Sequence, residues 1–152
     1  MAAIIGFSSQ WSDLSVVLRG CPQEVSILTR YGHLAFEDNY QRVYGFLPDP
    51  APLKIEPHEI YPGRYFDQTD LFALLKGKIR VDRFEFSLDW MEEFFIYQRL
   101  QGMETAFYCM HAPLSGPPYN CISYIREVLQ VGDLPRTNFI REVFEDMRKK
   151  RG

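Results

Sequence analysis

Cys121 stands in Tyr119-Asn120-Cys121-Ile122-Ser123, where the pattern predicts that a helix opens. Unpaired backbone N–H groups and the helix dipole stabilise a thiolate at such a place and can receive a developing oxyanion. A nucleophilic sulfur also needs a base. His33 follows Gly32 at the start of a predicted strand and shares a face with Ala35 and Glu37, so a small neighbour leaves room beside the imidazole. A thiol at a helix start facing an imidazole on a strand is the arrangement of a nucleophile and its base. Each residue has a plainer reading too, the cysteine as a small group packed under a sheet and the histidine as a core side chain.

The remaining candidates are discounted by position. Cys21 lies in Gly20-Cys21-Pro22, a turn context with no helix opening at the sulfur, and Cys109 falls inside a predicted strand, as a small buried hydrophobe would. His58, between Pro57 and Glu59, reads as a solvated loop residue, and His111, which leads toward the cysteine loop, is the rival base. Three cysteines, an odd number with no CxxC pair, argue against a disulfide framework and a zinc site. No metal constellation and no glycine-rich phosphate loop is visible, so no cofactor is expected.

A net charge of -3, with acidic and basic residues interspersed, lacks the basic stripe that neutralises phosphates, and nucleic acid is not an expected partner. The early apolar run Ala2-Ala3-Ile4-Ile5-Gly6-Phe7 has no basic segment before it and is too short for a signal peptide or a membrane span. The expectation is synthesis in the cytoplasm without a signal peptide and no transmembrane segment; export by a dedicated secretion system would leave the same sequence.

The elements that must position the pair are read from periodicity. Strands are expected at Glu24–Arg30, Tyr31–Glu37, Gln41–Phe46, Lys78–Phe86 with a bulge at Arg83, and Thr105–His111. Helices are expected from Thr69 to Gly77, from about Trp90 to Gln101, from Cys121 to a stop at Gly132, and from about Thr137 to Lys149. The second of these should bury Trp90, Met91, Phe94, Phe95 and Leu100, and the last Phe139, Ile140, Val143, Phe144 and Met147. The fold class is α+β, an antiparallel sheet packed with helices, in one domain over residues 1–152.

Gly32-His33-Leu34-Ala35-Phe36-Glu37, Val43-Tyr44-Gly45-Phe46-Leu47-Pro48, Phe86-Ser87-Leu88-Asp89-Trp90 and Tyr119-Asn120-Cys121-Ile122-Ser123-Tyr124-Ile125 together resemble circularly permuted papain-like cysteine hydrolases. This NlpC-type group includes peptidoglycan hydrolases, lecithin retinol acyltransferase-like enzymes and toxin domains of bacterial secretion systems, and in it the histidine strand precedes the cysteine helix. The resemblance spans roughly residues 24 to 135. It implies a permuted papain-like arrangement, Cys121 as nucleophile and His33 as base in a metal-independent thiol hydrolase. It also implies an orienting polar residue about a dozen positions after the histidine, where this chain has Gly45. Tyr44, Glu37 and Gln41 are the substitutes at hand, with Asp82 a more distant one. Asn120 either supports the oxyanion or caps the helix.

The implied activity is attack on an amide or ester carbonyl, first of all in peptidoglycan, by a bacterial effector or toxin amidase or peptidase with an immunity or carrier protein as partner. Deamidation, transglutamination and lipid acyl transfer on a host or rival-cell target use the same parts. A different class of reading is a non-catalytic module whose aromatic-rich groove binds a protein or peptide, and the glycine at the orienter position favours it.

Overall fold

The chain is described by a computed structural model covering residues 1–7, 32–50, 52, 54–77, 80–130, 134–135, 137 and 139–151. The expected strand Glu24–Arg30, the Tyr31 start of the next, Cys21 and the Lys78-Ile79 segment lie outside these residues. The architecture is α+β. Six strands, β1 (Ala2–Phe7), β2 (His33–Glu37), β3 (Val43–Pro48), β4 (Tyr61–Asp67), β5 (Asp82–Phe86) and β6 (Thr105–Tyr108), form one antiparallel sheet in the order β5-β1-β2-β3-β4-β6. Four helices are described, α1 (Thr69–Lys76), α2 (Trp90–Gly102), α3 (Cys121–Leu129) and α4 (Ile140–Arg151).

The central strands are covered on both faces, and their side chains sort by parity. On one face Ala2, Ile4, Leu34, Phe36 and Phe46 join Ile122, Tyr124, Ile125 and Val128 of α3 with Val143 and Phe144 of α4. On the other, Ile5, Phe7, Ala35, Val43 and Leu47 pack with Phe72 and Leu75 of α1. That two-sided burial explains β1, which the sequence shows only as an apolar run. A strand buried on both faces has no polar alternation to display. β4 is hidden for the opposite reason, since Pro62 and Gly63 break the pattern of a strand. Gly63 is required there because a Cβ would stand 2.5 Å from the Phe46 ring.

Several boundaries and faces differ from expectation. β5 pairs with β1 in unbroken register, Asp82↔Gly6 through Phe86↔Ala2, so no bulge occurs at Arg83. Phe84 and Phe86 turn to the α3 face, while Val81 packs with the α1-face core just before the strand. α3 ends at Leu129 on a left-handed Gln130 (φ 50), short of Gly132. α2 docks through Ile96 and Leu100, leaving Trp90, Met91, Phe94 and Phe95 at least half exposed. The apolar pattern of α2 spans most of its circumference, and the side that faces inward carries Ile96 and Leu100, with the Tyr97 hydroxyl donating to Asp38. On α4, Val143, Phe144 and Met147 are buried but Phe139, which precedes the helix, is exposed.

Phe46 is fully buried and stacks on Tyr124 at 4.2 Å and 3°. Phe46→Ala should therefore cost about 3–5 kcal/mol in urea unfolding. Phe95→Ser should stay within about 0.5 kcal/mol of wild type, whereas a loss of several kcal/mol would place the Phe95 face of α2 inward.

Candidate functional site

The start of α3 is fixed from several directions. Asn120 is its N-cap; its Oδ1 accepts from the N–H groups of Ile122 (3.0 Å) and Ser123 (2.9 Å), while Ser123 Oγ accepts from the Asn120 N–H at 3.0 Å. Its Nδ2 donates to the Met110 carbonyl at 3.1 Å, so Asn120 serves as cap and tether. Just ahead of it, Tyr119 bridges Tyr108 in parallel, donating to the Phe107 carbonyl and accepting from the Cys109 N–H. Cys121 is thus the first residue of a helix whose entry is tied to the edge of the sheet.

The Cys121 side chain is buried, and its sulfur lies within reach of the backbone N–H groups of Leu34, Ile122 and Cys121 itself. Leu34 is the residue after His33. β2 pairs with β3 only at Phe36↔Tyr44 and Glu37↔Val43, and beyond Phe36 the ladder stops, leaving the Leu34 amide accessible to the thiol. Burial pushes the thiol up to about 11; the three amides pull in the other direction and are outweighed.

His33 opens β2 opposite Phe7 and is 1% exposed. Its ring clusters with Phe7 and Phe72, with centroids 6.4 and 6.2 Å away. Its Nε2 is 2.8 Å from Gln68 Oε1. Burial lowers the imidazole to about 4, against the opposing effect of the Gln68 bond. The imidazole leaves β2 on the face covered by α1, whereas the thiol approaches from the face covered by α3. The structure therefore brings the sulfur against the peptide joining His33 to Leu34. Among the described residues no hydrogen bond links that sulfur to the ring. Both groups rest neutral at pH 7.

The group on the imidazole is none of those proposed from sequence. Glu37 accepts from Arg83 at 2.8–3.2 Å, an ion pair across the sheet. Tyr44 packs with the α3-face core and meets Tyr65 edge-on. Gln41 occupies the β2–β3 turn with φ 67. Asp82 pairs with Arg80 and Arg148. Gln68 was not anticipated, because it comes from the residue before α1, 35 positions from His33. The available signal was Gly45 itself. A Cβ there would stand 2.1 Å from Gln68 Oε1 and 2.5 Å from His33 Nε2, so the glycine vacates the space the carboxamide fills.

His111 and His58 meet edge-on at 4.7 Å, with the exposed Phe139 beside His111. Cys109 is buried with its sulfur 3.5 Å from the Pro57 carbonyl. Among the described residues no group of three or more His, Cys, Asp or Glu side chains could hold a metal ion, and no helix is long and apolar enough to cross a membrane. No protein-family model, curated protein or solved structure matches the chain.

A neutral thiol and a neutral imidazole imply a distinctive reactivity. Alkylation of Cys121 by iodoacetamide, followed by mass spectrometry, should rise about tenfold per pH unit from about pH 5 to about pH 9, because the thiolate is the reacting form. A plateau in that window would show a pre-formed thiolate–imidazolium pair.

The depressed imidazole also sets a stability trend. Between its ordinary value of 6.5 and about 4 the unfolded chain binds a proton that the folded chain does not. Stability is thus complete above about pH 6.5 and falls by about 3 kcal/mol as the pH drops to about 4. In urea titrations this component should be missing from His33→Gln.

Proposed function

We propose that the protein is a metal-independent cysteine hydrolase or acyltransferase in which Cys121 attacks an amide or ester carbonyl and His33 is the base. The observation that carries this reading is a buried sulfur on the first residue of an Asn120-capped helix packed on β2, where the backbone N–H groups of Leu34, Ile122 and Cys121 favour its thiolate against the burial. The order of the elements, histidine strand before cysteine helix, supports it through the permuted papain-like resemblance.

In the proposed reaction the His33 imidazole, which rests on the α1 face without a hydrogen bond to the sulfur, has to reach past the β2 backbone to accept the thiol proton as Sγ bonds to the carbonyl carbon. The Cys121 N–H, which the Asn120 cap does not engage, receives the oxyanion of the tetrahedral intermediate. Collapse breaks the bond to the leaving amine or alcohol, which takes the proton from the imidazolium. Water, deprotonated by His33, then hydrolyses the thioester; an acceptor amine or hydroxyl in its place gives acyl transfer. Because the resting pair is neutral, the thiolate forms only when a substrate is present to accept the sulfur. The first substrate class, carried by the resemblance alone, is the peptide amide of peptidoglycan, in the setting of a secreted effector or toxin with an immunity or carrier partner. Deamidation, transglutamination and lipid acyl transfer are the alternatives on the same parts.

A second reading is favoured by the exposed Trp90, Met91, Phe94 and Phe95 on α2 and by the raised Cys121 thiol. It makes the chain a binding module in which the cysteine is incidental. The two separate cleanly. Purified protein incubated with peptidoglycan sacculi should release soluble fragments, and Cys121→Ser and His33→Ala should each lower the rate by about 10³-fold or more. Expression of wild type with an export signal should harm bacterial cells and Cys121→Ala should not. Equal harm from both would remove the enzymatic reading, and harm confined to unexported protein would move the substrate from cell wall to a cytosolic target.

A further inference from the structure

We infer that Gln68 is the positioning residue of the imidazole, reaching from the start of α1 into the space that Gly45 leaves empty and fixing His33 as the Nε2–H tautomer with Nδ1 free to act as base. The inference rests on His33 as the base of the proposed reaction. It starts from the 2.8 Å contact between Gln68 Oε1 and His33 Nε2, in which a carbonyl oxygen can only accept. The ring nitrogen facing it must then carry the proton, which leaves the lone pair on Nδ1. If the carboxamide were turned round, its NH₂ would face the ring, the proton would move to Nδ1, and the base would be lost.

The main chain holds Gln68 firmly enough for this task. Its N–H donates to the Val43 carbonyl at 2.7 Å, and its own carbonyl accepts from Phe72 N–H at 3.0 Å. Thr69 Oγ1 accepts from the Val43 N–H at 2.9 Å, so residues 68 and 69 occupy both main-chain groups of the β3 residue two positions before Gly45. Although Gln68 is the N-cap of α1, its side chain makes no capping bond. It is 3% exposed, and Nε2 has no partner among the described residues. A buried amide that forgoes capping and turns its oxygen to the imidazole is accounted for by positioning of the ring.

The test begins with the intact wild-type protein and long-range ¹H–¹⁵N NMR of the histidine rings, which needs no substrate. His33 should show a protonated Nε2 and a bare Nδ1; a protonated Nδ1 overturns the inference. Gln68→Ala should lose the tautomer preference and slow Cys121-dependent turnover at least about tenfold, mainly in kcat with KM little changed. Gln68→Glu, which keeps the shape, places a carboxylate on the ring, raises the imidazole pKa and should introduce a plateau into the alkylation profile of Cys121. A Gln68→Glu profile identical to wild type overturns the inference even if Gln68→Ala fails to fold. A locked tautomer in a protein whose Cys121→Ser variant keeps its full biological effect would instead remove the enzymatic reading while leaving the Gln68–His33 contact standing.

Discussion

The packing of α3 across β2 and β3 is the interaction on which the rest of the site depends. Ile122, Tyr124, Ile125, Val128 and Leu129 are all buried, and Tyr124 lies flat on Phe46 while its hydroxyl donates to the Met103 carbonyl. Both ends of the helix are anchored, the first by the Asn120 box and the Tyr119 bridge. At the other end Arg99 donates to the carbonyls of Val128 and Leu129, placing a cation where the helix dipole is negative. With nine residues the helix would be marginal alone, so its stability comes from this docking. Docking fixes where the Cys121 sulfur lies, against the backbone of β2.

The same burial works against the thiolate. Sulfur removed from water rises to about 11 even with three N–H groups nearby, and the imidazole removed from water falls to about 4. Desolvation moves the two groups apart, so the resting site holds no ion pair. In the proposed reaction the proton acceptor therefore comes into play during attack rather than before it.

Two ends of the β2–β3 pair are treated differently. At the turn, the buried Asp38 carboxylate accepts from the N–H groups of Tyr40 (2.8 Å) and Arg42 (2.9 Å) and from the Tyr97 hydroxyl, which closes that end and ties α2 to it. At the His33 end the ladder has stopped, and the thiol and the Gln68 carboxamide approach from opposite faces. The Glu37–Arg83 pair spans β1 between these ends, which is why an acidic residue two pleats from His33 is structural.

Much of the frame was legible from local pattern: the α+β class, β2, β3, β6, both later helices and the helix start at Cys121 follow from alternation, turn residues and a capping asparagine. β1 and β4 escaped because alternation vanishes in a strand buried on both faces and because Pro62 and Gly63 mimic a turn. The buried side of α2 escaped because apolar residues lie around most of the helix and tertiary packing decides which of them turn inward. By itself the sequence determined that a cysteine opens a helix, that a histidine lies near the start of a strand, and that a glycine stands where a third group would otherwise be expected. The tertiary structure alone decided that Gln68 fills that place and that both titratable groups rest neutral, because desolvation and a contact between residues 35 apart depend on how the layers close and leave no mark on local sequence.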